Sequence, residues 1–182
     1  MANERSLAVD IKYLGVGNPG DGVPATTYVQ YPTIHEDSVV FNFNEATQVN
    51  FKAMGLGDPW AILNKKGDPS SIEFAIPSPT AAEMEAFCGG TVTGDKWEAP
   101  VSTPSIIKSV KLQTAPYEGK YTEYVISKAS VSARISQAPG SEQTDLLLVK
   151  ATIMTPVSAA GEQGAPFSRE VKAVAAPVEP AE

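Results

Sequence analysis

A mainly β chain with one short helix is what this sequence predicts, built as two packed antiparallel sheets in a sandwich or partial barrel, with an extended loop and a terminal arm. Three observations carry that fold class. Apolar and polar residues alternate over long stretches, most strictly at 128–136 and 147–154, as half-buried strands require. Glycine and proline punctuate the chain at short intervals, breaking it into turns and short elements. Only one stretch, 76–90, reading IPSPTAAEMEAFCGG, carries helix signals.

Taken in order, residues 7–14 read as a first strand, and GVGNPGDGVP at 15–24 as a turn or extended connector. Residues 26–34 are rich in Thr, Tyr and Val and suit a half-buried strand, with Pro32 placing its end at an edge or bulge. Val39, Phe41 and Phe43 alternate with Val40, Asn42 and Asn44, and the pattern resumes at Val49 and Phe51, which makes a hairpin or one long bent strand. Periodicity then disappears over 53–70, although Met54, Leu56, Trp60, Ile62 and Leu63 give this loop an unusual apolar content. Two readings stand: a loop folded back onto the core, or a protrusion that buries those side chains in a neighbouring subunit.

Ile72, Phe74 and Ile76 form a short strand that feeds the helix. Ser78 is the expected N-cap and Pro79 the first helical residue, so the helix is predicted over 79–88. Glu83 and Glu85 favour the positive end of its dipole. Ala81, Met84, Phe87 and Cys88 share the face to be buried, and Gly89 or Gly90 supplies the left-handed terminus. A connector with Trp97 leads to a moderately buried strand at 105–114, where Ile106, Val110 and Leu112 share a face that Lys108 interrupts. Ala129, Val131, Ala133 and Ile135 then alternate with polar neighbours, Leu147, Val149, Ala151 and Ile153 repeat the pattern, and the turn QAPGSEQT joins the two strands as an antiparallel hairpin. The β domain is expected over 1–157. Residues 158–182, rich in Ala, Gly, Pro and Glu apart from FSREVKAV, read as an arm that orders only against something else.

At 182 residues the chain supports one good core and not two. A formal charge of -7 without a basic cluster argues against binding nucleic acid or an anionic membrane. One cysteine excludes an intramolecular disulfide and points to a reducing cytoplasm. MANERSLAVDIKYLG does not resemble a signal peptide, and no apolar run approaches a membrane span.

Catalytic chemistry finds no constellation. His35 sits in a polar turn beside Glu36 and Asp37, where solvation is the ordinary fate of a histidine, and Cys88 is expected to face inward as a small hydrophobe. The Gly15–Gly17 pair lacks the Lys-Ser/Thr of a phosphate loop and has no helix after it. Asp58, Asp68 and Glu36-Asp37 are too scattered for a calcium loop, and Tyr117, Tyr121 and Tyr124 lack the cations of a base-stacking platform. No enzyme, cofactor or metal is therefore expected.

The strand SIEFAI, the helix SPTAAEMEAFCGGTVT, the segment KWEAP, and later YVISKASVSARIS with LLLVKATIMTP follow one another in an order that resembles the major tail tube proteins of bacteriophages and prophages. The resemblance covers about half the chain, 71–156. It implies a fold related to type VI secretion and contractile injection tubes, in which packed sheets flanked by a helix join into hexameric rings. Those rings stack into a virion tail tube, assembled in the bacterial cytoplasm, through which DNA leaves without specific binding. The implied partners are further copies of the chain, a tape-measure protein, and tail terminator or initiator proteins. In this light Met54, Leu56, Trp60, Ile62 and Leu63 are the expected subunit interface, and the serines of 127–136 a small polar face suited to a lumen. The helix is then expected to brace the wall from outside. The competing class is a non-enzymatic β-sandwich that binds or adheres at a particle or cell surface, an architecture that does not ordinarily need the helix or the apolar loop.

Overall fold

The computed structural model describes residues 7–31 and 34–174. Antiparallel strands dominate it, and one helix interrupts them. The strands are β1 (Ile11–Gly17), β2 (Val29–Gln30), β3 (Val40–Asn42), β4 (Thr47–Phe51), β5 (Ala61–Lys65), β6 (Ser71–Pro77), β7 (Thr91–Thr93), β8 (Lys96–Glu98), β9 (Ile106–Thr114), β10 (Lys120–Gln137), β11 (Leu146–Ile153) and β12 (Phe167–Ala173), with α1 (Ala81–Cys88) after β6. Instead of two separate sheets, eight strands form one, in the order β2-β1-β9-β10-β11-β6-β3, with β12 also paired to β10. The hairpins β4–β5 and β7–β8 are small sheets of their own.

The sheet curls. Three strand steps separate β10 from β3, roughly 14 Å in a flat sheet. Yet the rings of Phe41 on β3 and Tyr124 on β10 lie 5.2 Å apart, and Phe43 and Phe167 lie 5.0 Å apart. This aromatic group draws the two margins together, which gives the sandwich or partial-barrel form. Enclosed by the curl are Leu14, Phe74, Val110, Leu112, Ile126 and Leu147, with Met84 and Phe87 of α1 inserted among them. Each such fully buried side chain contributes about 1.5–3 kcal/mol.

The long hairpin pairs antiparallel as expected, with Ala129 opposite Ile153, Val131 opposite Ala151 and Ile135 opposite Leu147. Residues 129–135 are only the second half of β10. The first half, with Tyr121 and Tyr124, pairs on one side with β9 and on the other with β12. A central part of the expected terminal arm is thus in the sheet, and what residues 167–173 order against is the chain's own β10. The end of that arm, 175–182, lies outside the described residues, as does Pro32.

Other boundaries move for local reasons. The first strand starts at Ile11 and runs through Gly15 and Gly17, because its ladder with β9 continues to Gly17 opposite Ser109. The helix starts two residues later than expected. Thr80 caps it, its Oγ1 accepting from the Glu83 N–H at 3.3 Å while the Glu83 carboxylate accepts from the Thr80 N–H at 2.7 Å. This reciprocal box satisfies two orphan donors, which a lone serine cap does not. Ser78 is not extended: its φ is +46°, and its hydroxyl pairs with that of Thr144 in the β10–β11 connection. Met84 and Phe87 are buried as expected, whereas Ala81 and Cys88 are half-buried. Gly89 ends the helix at φ +71°, where a Cβ would stand 2.6 Å from Pro104. The expected connector after it is the β7–β8 hairpin, whose Trp97 indole donates to the Gly89 carbonyl at 2.7 Å.

Candidate functional site

Met54, Leu56, Trp60, Ile62 and Leu63, the expected interface residues, all lie on one projecting feature. Residues 53–70 are not a structureless loop, because β5 pairs with β4 from Phe51 opposite Ala61 to Thr47 opposite Lys65. That ladder escapes notice in the sequence because Ile62, Leu63 and Asn64 do not alternate. The reading in which the loop folds back onto the core is overturned: Met54 is fully exposed, and Leu56, Trp60, Ile62 and Leu63 are each more than half exposed.

The base of the hairpin is pinned. The Asn44 side chain donates to the carbonyls of Asp68 and Pro69, and its backbone N–H donates to the Ser70 hydroxyl. Gly67 passes so close to Glu45 that a Cβ there would stand 2.2 Å from its carbonyl oxygen, so only glycine permits the crossing. At the far end the Trp60 N–H donates to the Phe51 carbonyl at 2.9 Å, and the two rings sit 6.5 Å apart. Cross-strand register places Val49, Phe51, Ala61 and Leu63 on one side and Ile62 with Gln48, Asn50 and Asn64 on the other. The five expected residues therefore do not form a single face. Phe51, exposed on the same side as Leu63, is an interface candidate that the sequence reading missed, since its alternation looked like that of a core strand.

The outward face of the main sheet is different in kind. Ser130, Ser132, Arg134 and Ser136 of β10 are exposed there. Most cations on this face are matched: Lys150 pairs with Glu73 at 3.0 Å, and Lys111 and Lys172 converge on Glu123, which also accepts from Gln113 at 2.7 Å. Burial opposes the charge of Glu123, but the hydrogen bonds from Lys172 and Gln113 and the charge of Lys111 outweigh it and hold the carboxyl below its ordinary value. This junction of β9, β10 and β12 was invisible in sequence because Glu123 and Lys172 stand 49 residues apart.

His35 is exposed, with its Nδ1 2.9 Å from the Glu36 carbonyl oxygen, in an open cleft shared with Asp10, Lys12 and Asp37. Cys88 is half-buried, and burial pushes its thiol up. Among the described residues no group of His, Cys, Asp and Glu is arranged to hold a metal ion, and no helix is long and apolar enough to cross a membrane. No protein-family model matches the chain, and no curated protein matches it.

Proposed function

We propose that this protein is a structural subunit that assembles with further copies of itself into stacked rings, as a tail tube that conducts DNA. The observation that carries the reading is the β4–β5 hairpin. A two-stranded ribbon is marginally stable in water, and this one holds Phe51, Leu56, Trp60, Ile62 and Leu63 out to solvent on both of its sides. Such a surface is a contact waiting for a partner. The serine-bearing sheet face supports the same reading, because Glu73, Glu123 and Glu170 offset the charge of Lys150, Lys111 and Lys172 that would grip phosphate, leaving Arg134 beside the serines. The helix packs on the opposite, apolar face of that sheet, which fits a wall braced from outside.

Electron microscopy of the purified protein, alone and with an assembly initiator, tests the proposal. Rings or tubes are expected, and Trp60→Asp should abolish them without unfolding the subunit. Assembly that is indifferent to Trp60→Asp would remove the hairpin from the interface.

A further inference from the structure

We propose that the hollow between the base of the β4–β5 hairpin and the start of β12 is a binding site for a small aromatic carboxylate. This goes beyond the assembly reading and does not rest on it. Four segments converge there: the residues before β4, the return from β5 to β6, the end of β11 and the entry to β12. The hollow has a volume of about 360 Å³, and Phe43, Pro69, Met154, Pro166 and Phe167 supply its apolar walls. That volume lies within the range of small-molecule sites, which are mostly apolar with a few placed polar groups.

The walls select a ring and the rim selects an anion. Phe43 and Phe167 meet edge-on with their centroids 5.0 Å apart. A further flat ring can join them at the roughly 4.5–7 Å separations that aromatic groups favour. Met154 adds a thioether, which makes favourable contacts with ring edges. An alkyl chain would gain only the burial of its area from the same walls. On the polar side stands Lys66, exposed and in no ion pair among the described residues. Ser70 adds a hydroxyl whose oxygen accepts from the Asn44 N–H at 3.3 Å, so that its own proton is left to donate. Both groups are donors, and one carboxylate can accept from both in charge-assisted hydrogen bonds. The chain carries a formal charge of -7, so an anion is held only where a cation is locally uncompensated. Asp68, the acid nearest to Lys66 along the chain, does not line the hollow.

Titration of the intact chain with naphthoate, followed by nuclear magnetic resonance of isotope-labelled methionine methyl groups, tests the site. The methionines report from different places: Met54 near the hairpin tip, Met84 in the core and Met154 in the hollow. The Met154 methyl should shift and saturate while those of Met54 and Met84 stay in place. Naphthoate should bind about tenfold more tightly than neutral naphthamide, and that preference should vanish in Lys66→Met, which keeps an apolar stem and removes the charge. Decanoate, an alkyl anion, should bind about tenfold more weakly than naphthoate. A shift at Met54 in place of Met154, no saturation at millimolar naphthoate, or a preference for the anion that survives Lys66→Met overturns the site. Decanoate binding as tightly as naphthoate overturns the aromatic class of its ligand. None of these outcomes bears on assembly into tubes, since binding is read on the separate subunit.

Discussion

Phe74 and Phe51 are both strand phenylalanines in antiparallel pairs, yet the first is fully buried and the second is 44% exposed. The difference lies in what stands behind each strand. β6 has β11 and β3 at its sides and the curled sheet with α1 over its apolar face, so Phe74 meets Phe87 of the helix edge-on at 6.0 Å. β4 has only β5. The same residue chemistry thus stabilises the subunit in one region and leaves an unsatisfied surface in the other.

The sharpest way to break that comparison is to empty the core. Phe74→Ala should cost about 3–5 kcal/mol in denaturant unfolding, because the close-packed surroundings cannot collapse into the space. A loss below about 1 kcal/mol would mean that the enclosed region is as loosely held as the hairpin. Thr80→Ala should cost about 1 kcal/mol by removing the capping box, with circular dichroism reporting loss confined to the helix.

Thr122 sharpens the core side from the other direction. Its hydroxyl is buried and has no hydrogen-bond partner among the described residues, so Thr122→Val should be neutral or raise stability by up to about 1 kcal/mol. A clear loss would show that the hydroxyl has a partner. On the hairpin, Trp60→Asp should change subunit stability by less than about 0.5 kcal/mol while association disappears. That smallest effect on folding, beside the largest on assembly, is the signature expected of a surface with no core behind it.

Acid should act on the sheet and spare the hairpin. Glu123 has its carboxyl held below the ordinary 4.5 in the folded chain, so it contributes stability above that value and loses it as pH falls through the lowered one. Unfolding followed from pH 6 downward should steepen below about 4.5, and Glu123→Gln should flatten that slope. An unchanged slope would place the acid sensitivity elsewhere.

Much of the fold was legible because alternation has a fixed period. Ala129 to Ile135 and Leu147 to Ile153 announced their strands and their pairing without any tertiary information, and the buried side at Ala129, Val131, Leu147, Val149 and Ala151 though not at Ile135, which is exposed; Met84 and Phe87 announced the inner face of the helix. The candidate surface was legible in its residues and not in its form. Trp60 and Leu56 stood out as apolar residues in a loop, whereas β5 carried no alternation to mark it, since a ribbon without a core has no single side to keep apolar.

By itself, then, the sequence determined the mainly β class, one helix, the central antiparallel hairpin and the apolar character of 53–70. The tertiary structure alone decided that the strands join one curled sheet, that 167–173 completes it, and that the apolar hairpin stands away from the core. Local periodicity says which side of a strand avoids water. Which distant strand covers that side, and whether any does, depends on pairings across dozens of residues, such as Glu123 with Lys172, that leave no local trace.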